Sequence, residues 1–434
     1  MSNSSSSNDF TFENLEDRVL YSATPIDNSD IIQTEIIQEL EPLLSHDHAD
    51  HDHADHDHAD MMPVAAGVGG AVNDQFDGQG STLRAGASIP GFEHTTGHKN
   101  ILWIRVSHSD DVSPDTTTAR ITEISNNLNE EFYAESYGKT SLSISTTPVL
   151  QLTETAAYYR AQSNNNEFKA DSAAALATLA LTDPQYDANN YDRLIFESEG
   201  FYFGGGQATV GGQGTWFRKG AESVLDHELG HTYGFFHSNS YDTGNEGTFS
   251  SGGTSHEYGN DLDIQGDSSF TFNHYYKSNA GWIQEGEEYQ SLTTSGTYRL
   301  YSMEANQEGV LASLKLDVAG TNKPLWISYR SDHQYSGTDN EWFDNGLYIT
   351  RPEGNGNSDT QILDFTPGSG STDSLDVRDA ALTTGRTFYI ASENVFITAT
   401  RVIEASGSTP ASIEVVVNYG HELNNQKPTA TLVA

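Results

Sequence analysis

The run His227-Glu228-Leu229-Gly230-His231-Thr232-Tyr233-Gly234-Phe235-Phe236-His237 places three imidazoles and a carboxylate at spacings that could do chemistry. His227 and His231 are four residues apart, so on a helix both rings leave the same face, one turn above the other. Both nitrogens can then reach one ion at the roughly 2.0–2.1 Å of a zinc–imidazole bond. Glu228, beside His227, lies close to such an ion without ligating it, where it can accept a proton from water. Gly234 can take φ > 0 and turn the chain sharply where a continued helix would carry it away. After that turn His237 can return as a third ligand. Three protein nitrogens leave a fourth position for water, which marks a catalytic site rather than a structural one. The chemistry expected is hydrolysis, with zinc lowering the pKa of water and polarising a carbonyl while Glu228 removes the proton.

These residues need a scaffold. Ala221, Val224, Leu225 and Leu229 form the apolar side of the helix that carries His227 and His231. Upstream, Ile101 to Val106 reads as a buried strand. Residues 115–134 read as a helix, with Ile121, Ile124, Leu128 and Phe132 at helical spacing. Gly138 ends it, Ser141 to Ser145 alternate as a strand, Ala170 to Leu181 form a second helix, and Tyr191 to Phe196 another strand. Alternating strands and helices imply an α/β layer. Six glycines within residues 201–218 (204, 205, 206, 211, 212 and 214) have the wrong spacing for a dinucleotide loop and predict an irregular edge strand. After Trp282 the helical period stops. Strand-like runs follow at Thr297–Tyr301, Leu311–Leu316, Leu325–Tyr329, Gly346–Thr350, Thr387–Ile390, Val395–Ala399 and Ile413–Val417, a pattern that predicts a β-sandwich.

The extended histidine pattern resembles the metzincin signature, and its surroundings are similar to those of the gametolysin-type peptidases. The residues that carry this likeness are Ser136-Tyr137-Gly138-Lys139, the glycine-rich segment, Glu257-Tyr258-Gly259-Asn260-Asp261-Leu262-Asp263-Ile264-Gln265-Gly266 and Asn279-Ala280-Gly281-Trp282. Leu325 to Arg330 and Gly346 to Ile349 resemble that family's β-rich extension, so the likeness spans residues 99–420. It implies an α+β zincin-like catalytic domain followed by an all-β domain. It also implies a secreted or cell-surface zinc metalloendopeptidase acting on proteins or peptides, with His227, His231 and His237 as ligands and Glu228 as general base.

One departure bears on activity. The family's methionine under the metal, in an Asp-x-Met-Gly turn, is here Gln265, and no methionine lies between Met62 and Met303. That methionine packs and does not ligate, so zinc binding should survive, but a buried amide needs hydrogen-bond partners. Asp261-x-Asp263-x-Gln265-Gly266 imitates the start of a calcium loop, with Phe272 where the loop's last glutamate belongs. Calcium is therefore a candidate second ion. Tyr258, Tyr275 and Tyr276 are each read either as a phenol facing the reacting carbonyl or as a packed aromatic.

The expected organisation is a disordered tail over residues 1–90, a catalytic domain over 91–285, a β-sandwich-like domain over 286–420 and a linker over 421–434. The tail is serine-rich and of low complexity, too poor in apolar surface to offset ordering entropy. Within it Ile32, Ile36, Leu40 and Leu43 form one helical stripe. Its Phe12 to Ala23 segment resembles the Leu-Glu-Pro-Arg sorting motif of large exported bacterial proteins, with Asp17 in the proline position. From His46 to Asp60 the unit His-Asp-His-Ala-Asp occurs three times, either a metal-binding tract or a solvated spacer.

The 434 residues carry 21 basic and 62 acidic side chains, a formal charge of −41, and no cysteine. That balance excludes nucleic acid and anionic membranes as partners, since both need a basic footprint. No apolar run is long enough to cross a bilayer, and no basic-then-apolar secretory leader opens the chain. Without cysteine there is neither a thiolate zinc site nor a thiol switch. Two other functions remain open at this level: a zincin-like surface binding protein that does not cut, and a metal-sequestering protein working through the histidine repeat. The oligomeric state is not encoded in any pattern found.

Overall fold

The computed structural model describes residues 88–420, apart from 112–114, 163–164, 202–204, 244–247, 249–251, 267–270, 332–333, 336–337, 340, 354–358 and 368–373. The expected tail up to residue 87, with its sorting-like motif, helical stripe and histidine repeat, lies outside the described residues, as does the linker 421–434. The described chain is mixed α/β, with several sheets and few helices.

The first sheet is built from β1 (Gly97–Ser107), β2 (Thr140–Thr146), β3 (Leu150–Gln151), β4 (Arg193–Ser198), β5 (Gly206–Ala208) and β6 (Gly214–Arg218). Its order is β2-β1-β4-β6-β5, with β3 pairing on the far end of β1. All pairings are parallel except that of β5, which runs antiparallel along the edge. Central β1 carries Ile101-Leu102-Trp103-Ile104 without any exposure, as a strand covered on both faces should. The helix Thr118–Glu135 connects β1 to β2. Thr117 caps it by accepting from the Arg120 amide, and it buries Ile121, Ile124, Leu128 and Phe132. These four side chains share one core with Ile101 and Trp103 of β1, Leu225 and Leu229 of the helix Leu225–Thr232, and Phe272, Tyr276 and Trp282.

The second sheet has eight strands: β7 (Ser238–Asp242), β8 (Thr254–His256), β9 (Tyr289–Ser291), β11 (Ser313–Leu316), β12 (Leu325–Tyr329), β15 (Gly346–Pro352), β16 (Thr360–Leu363) and β17 (Leu382–Thr383). A four-stranded antiparallel sheet, in the order β10-β20-β19-β18, faces it. Its strands are β10 (Gly296–Tyr301), β18 (Thr387–Ile390), β19 (Val395–Ile403) and β20 (Ser412–Tyr419). A two-stranded ribbon of β13 (Gln334–Tyr335) and β14 (Thr338–Asp339) stands apart. Leu314, Ile327, Leu347 and Ile349 from the larger sheet pack with Ile397, Ile413, Val415 and Val417 from the smaller one in a single apolar core.

The boundary expected between residues 285 and 286 is bridged by backbone hydrogen bonding. Strand β7, which follows His237 directly, pairs in parallel with β16, Ser238 opposite Thr360 and Tyr241 opposite Leu363. Because β7 and β8 come from the N-terminal half, the larger sheet is shared by both halves. Periodicity cannot foresee this, since a short strand carries no record of which partner completes its ladder.

Candidate metal centre

Helix Leu225–Thr232 buries Leu225 and Leu229 completely, which turns His227 and His231 to the opposite side. It ends as a sharp C-terminal turn. The Gly234 amide donates to the His231 carbonyl at 2.8 Å and the Phe235 amide donates to the Gly230 carbonyl at 3.2 Å. These are the paired bonds of a Schellman turn, and Gly234 adopts φ +93° to make them. A Cβ at Gly234 would meet nothing within 4 Å, so substitution there acts through the backbone alone. Gly234→Ala is accordingly expected to cost about 1–3 kcal/mol in strain. The relaxed turn would swing His237 outward, so a lower melting temperature should be accompanied by weaker metal retention on dialysis.

Past the turn, the His237 ring comes back over the helix. Ring centroids are 4.7 Å apart for His227 and His231, 5.0 Å for His231 and His237, and 5.6 Å for His227 and His237. One ligand nitrogen from each ring lies within 4.8 Å of the others, close enough to bind one metal ion. The tautomers are set by oxygen atoms behind the rings. Nδ1 of His227 lies 2.8 Å from the Ile264 carbonyl, Nδ1 of His231 lies 2.7 Å from the Phe235 carbonyl, and Nδ1 of His237 lies 2.6 Å from Glu257 Oε1. A carbonyl or carboxylate only accepts, so each Nδ1 carries the proton and each Nε2 presents a lone pair. Three imidazole Nε2 atoms backed by oxygen acceptors are a donor set that suits zinc, copper, iron or nickel.

Glu228 is buried beside this group, and its Oε2 has no hydrogen-bond partner among the described residues. Burial is the main reason its carboxyl is pushed up to about 8. Lys169 acts in the opposite direction and Asp226 adds to the rise. A divalent cation next to it would draw the group back toward the carboxylate form. A Cβ on Gly206 of edge strand β5 would come within 2.6 Å of Glu228 Oε1, so the strand backbone runs directly against this side chain.

Gln265 lies beneath the helix. Its Nε2 donates to the His227 carbonyl at 2.8 Å and packs so tightly on Gly230 that a Cβ there would sit 2.2 Å from it. Its Oε1 is buried without a hydrogen-bond partner among the described residues. The polar amide is thus half satisfied. Gln265→Met removes one amide-to-carbonyl bond, worth about 0.5–1.5 kcal/mol, and one orphaned oxygen, which costs about 1–3 kcal/mol. The balance favours methionine. The expected result is a gain of roughly 1 kcal/mol, seen as a melting temperature a few degrees higher with metal content unchanged. A drop in melting temperature would mean that the oxygen is satisfied in solution.

The other expected residues separate clearly. Tyr258 packs on the ligands, its ring centroid 4.1 Å from that of His237 and 5.9 Å from that of His227. Tyr276 instead donates from its hydroxyl to the His237 carbonyl at 2.7 Å, and Tyr275 packs against the core. Asp263 is committed to protein donors: it accepts from the Gln265 amide and from the amide and Nδ2 of Asn273. Its carboxyl organises this turn, which leaves it poorly placed as a calcium ligand.

The chain matches no protein-family model, and no curated protein matches it. Its site is therefore read from its own geometry. Sequence reasoning missed Glu257, Lys169 and Asp359, whose Oδ1 accepts from the His237 amide. Glu257 lies in a run quoted for its resemblance, yet no spacing pattern ties it to His237, 20 residues away. Among the described residues no helix is long and apolar enough to cross a membrane.

Proposed function

We propose that this chain is a zinc-dependent endopeptidase of the metzincin kind, resembling the gametolysin-type peptidases, which hydrolyses peptide bonds of extracellular proteins. The observation that carries this reading is the grouping of one ligand nitrogen from each of three histidines within 4.8 Å of one another, with the adjacent Glu228 buried and its Oε2 without a hydrogen-bond partner among the described residues. A purely structural site would close its fourth position with a protein ligand and would have no use for a buried acceptor next to it.

A zinc ion held by His227, His231 and His237 supplies the Lewis acid and acidifies water. The chain supplies the rest. Glu228 Oε2 takes the proton from the attacking water and returns it to the leaving amine nitrogen. Lys169, whose ammonium lies 4.4 Å from the centre of the Trp216 ring, favours the ionised form that this role requires. Strand β5 is the last strand of its sheet, and Gly206 runs against Glu228. An extended peptide adding to that edge would pass the carboxylate, with main-chain hydrogen bonds holding it in place. Tyr258 keeps its phenolic proton, because burial and the neighbouring Glu257, Glu228 and Asp359 all push its ionisation upward. It can therefore offer an O–H donor.

The test is metal removal. Hydrolysis of a panel of denatured proteins is measured before and after treatment with a chelator, then after zinc is restored. Cleavage should disappear and return. A zinc-loaded chain that cuts no member of the panel would shift the reading to a binding protein built on the same scaffold.

A further inference from the structure

His237 is held differently from the other two ligands. His227 and His231 ride on one helix, whose backbone sets their geometry. His237 lies beyond the Gly234 turn, in neither helix nor strand, and β7 begins only at the next residue. An imidazole in such a segment would lose affinity for an ion through the entropy of ordering it.

Groups from distant parts of the chain grip it instead. Its ring Nδ1 donates to Glu257 at 2.6 Å. Its backbone amide donates to Asp359 Oδ1 at 3.1 Å, and its carbonyl accepts from the Thr360 amide at 3.0 Å and from the Tyr276 hydroxyl at 2.7 Å. The face of its ring is covered by Tyr258. Tyr258 itself sits at φ +60°, a conformation uncommon for a bulky residue, and its amide donates to Asn239 Oδ1 at 3.1 Å. Strain of this kind persists only where the surroundings over-determine it. Thr360, 123 residues further along, opens strand β16 and Asp359 immediately precedes it, and the pairing of β16 with β7 continues the same grip.

We infer that Glu257 and Asp359 are positioning residues for the third ligand, so that the C-terminal β-rich half is part of the metal centre and not an appended module. The inference rests on the zinc reading above. Glu257 holds the proton on Nδ1, which fixes the tautomer, aims Nε2 and raises its basicity; outer partners of this kind typically contribute about 10–100-fold in metal affinity. Asp359 fixes the backbone from which that ring projects. A surface carboxylate that merely happened to lie near a histidine would explain the Glu257 contact alone, and not the three further bonds to the same residue's backbone.

The experiment measures zinc affinity of the full chain by competition with a chromophoric chelator, together with the visible absorption of the cobalt(II)-substituted protein and the melting temperature of the zinc-free protein. Glu257→Ala should weaken zinc about 10–100-fold and alter the cobalt band. Glu257→Gln, which keeps an acceptor oxygen but not the charge, should recover part of the loss. Asp359→Ala should also weaken zinc. The zinc-free melting temperature of Glu257→Ala should match wild type, since its effect lies in ligand orientation, whereas that of Asp359→Ala should fall slightly because the His237 amide loses its acceptor. The inference is overturned if Glu257→Ala binds zinc as tightly as wild type with an unchanged cobalt band. It is equally overturned if the loss tracks a fall in zinc-free stability that Glu257→Gln does not rescue. A wild-type chain that binds no zinc overturns the metal reading itself, a result distinct from either.

Discussion

Glu228→Gln is expected to lower peptide hydrolysis by about 10²–10⁴-fold while zinc content and melting temperature stay at wild-type values. The size of the effect follows from what the substitution removes. Glutamine matches the shape of the side chain that Gly206 and the helix enclose, but it cannot take a proton from water at neutral pH. Stability should not fall, because among the described residues Oε2 has no hydrogen-bond partner to lose and because burying an amide costs less than burying an ionised carboxylate. The metal should stay, since three imidazoles hold it and Glu228 does not. The measurement is the hydrolysis rate of a denatured protein by wild type and variant at equal zinc occupancy. Equal rates would remove Glu228 from the mechanism.

His231→Ala should have the largest effect on the metal itself. His231 lies between the other two ligands, with its ring edge-on to both, and it is the most buried of the three. Truncation removes a ligand and also breaks the 2.7 Å bond from Nδ1 to the Phe235 carbonyl, which spans the Gly234 turn. The loss of affinity should exceed the roughly 10–100-fold associated with outer partners alone. Because an ion that binds only the folded state stabilises it by mass action, added zinc should raise the melting temperature of wild type and leave that of the variant unmoved. Dialysed variant that keeps one zinc per chain would refute the three-histidine site.

Much of this centre was legible before any fold was known. The spacing of His227, Glu228 and His231 specifies a shared helical face because the α-helix has a fixed period, and Gly234 specifies a turn because few other residues tolerate φ near +93°. The helix Thr118–Glu135 was equally plain: Ile121, Ile124, Leu128 and Phe132 keep a strict apolar stripe, and all four are buried. Local rules of this kind act over a few residues, and the chain states them directly.

The partners of the ligands were not legible in that way. Ile264 behind His227, Glu257 behind His237, Gln265 under the helix and Asp359 on the His237 amide are joined to the site across 37, 20, 38 and 122 residues. Nor did the apolar runs after Trp282 reveal that β7 would complete a sheet with β16. Side-chain type and period determine which face of an element is buried, but not which distant backbone groups that face will meet. Those are selected by packing, because the amide and carbonyl groups enclosed when the core closes must find partners among whatever it brings within reach. The sequence by itself determined the donors, their helical spacing and the turn that returns His237. Only the tertiary structure decided which oxygens hold the imidazole protons, and thereby which nitrogen each ring offers to an ion.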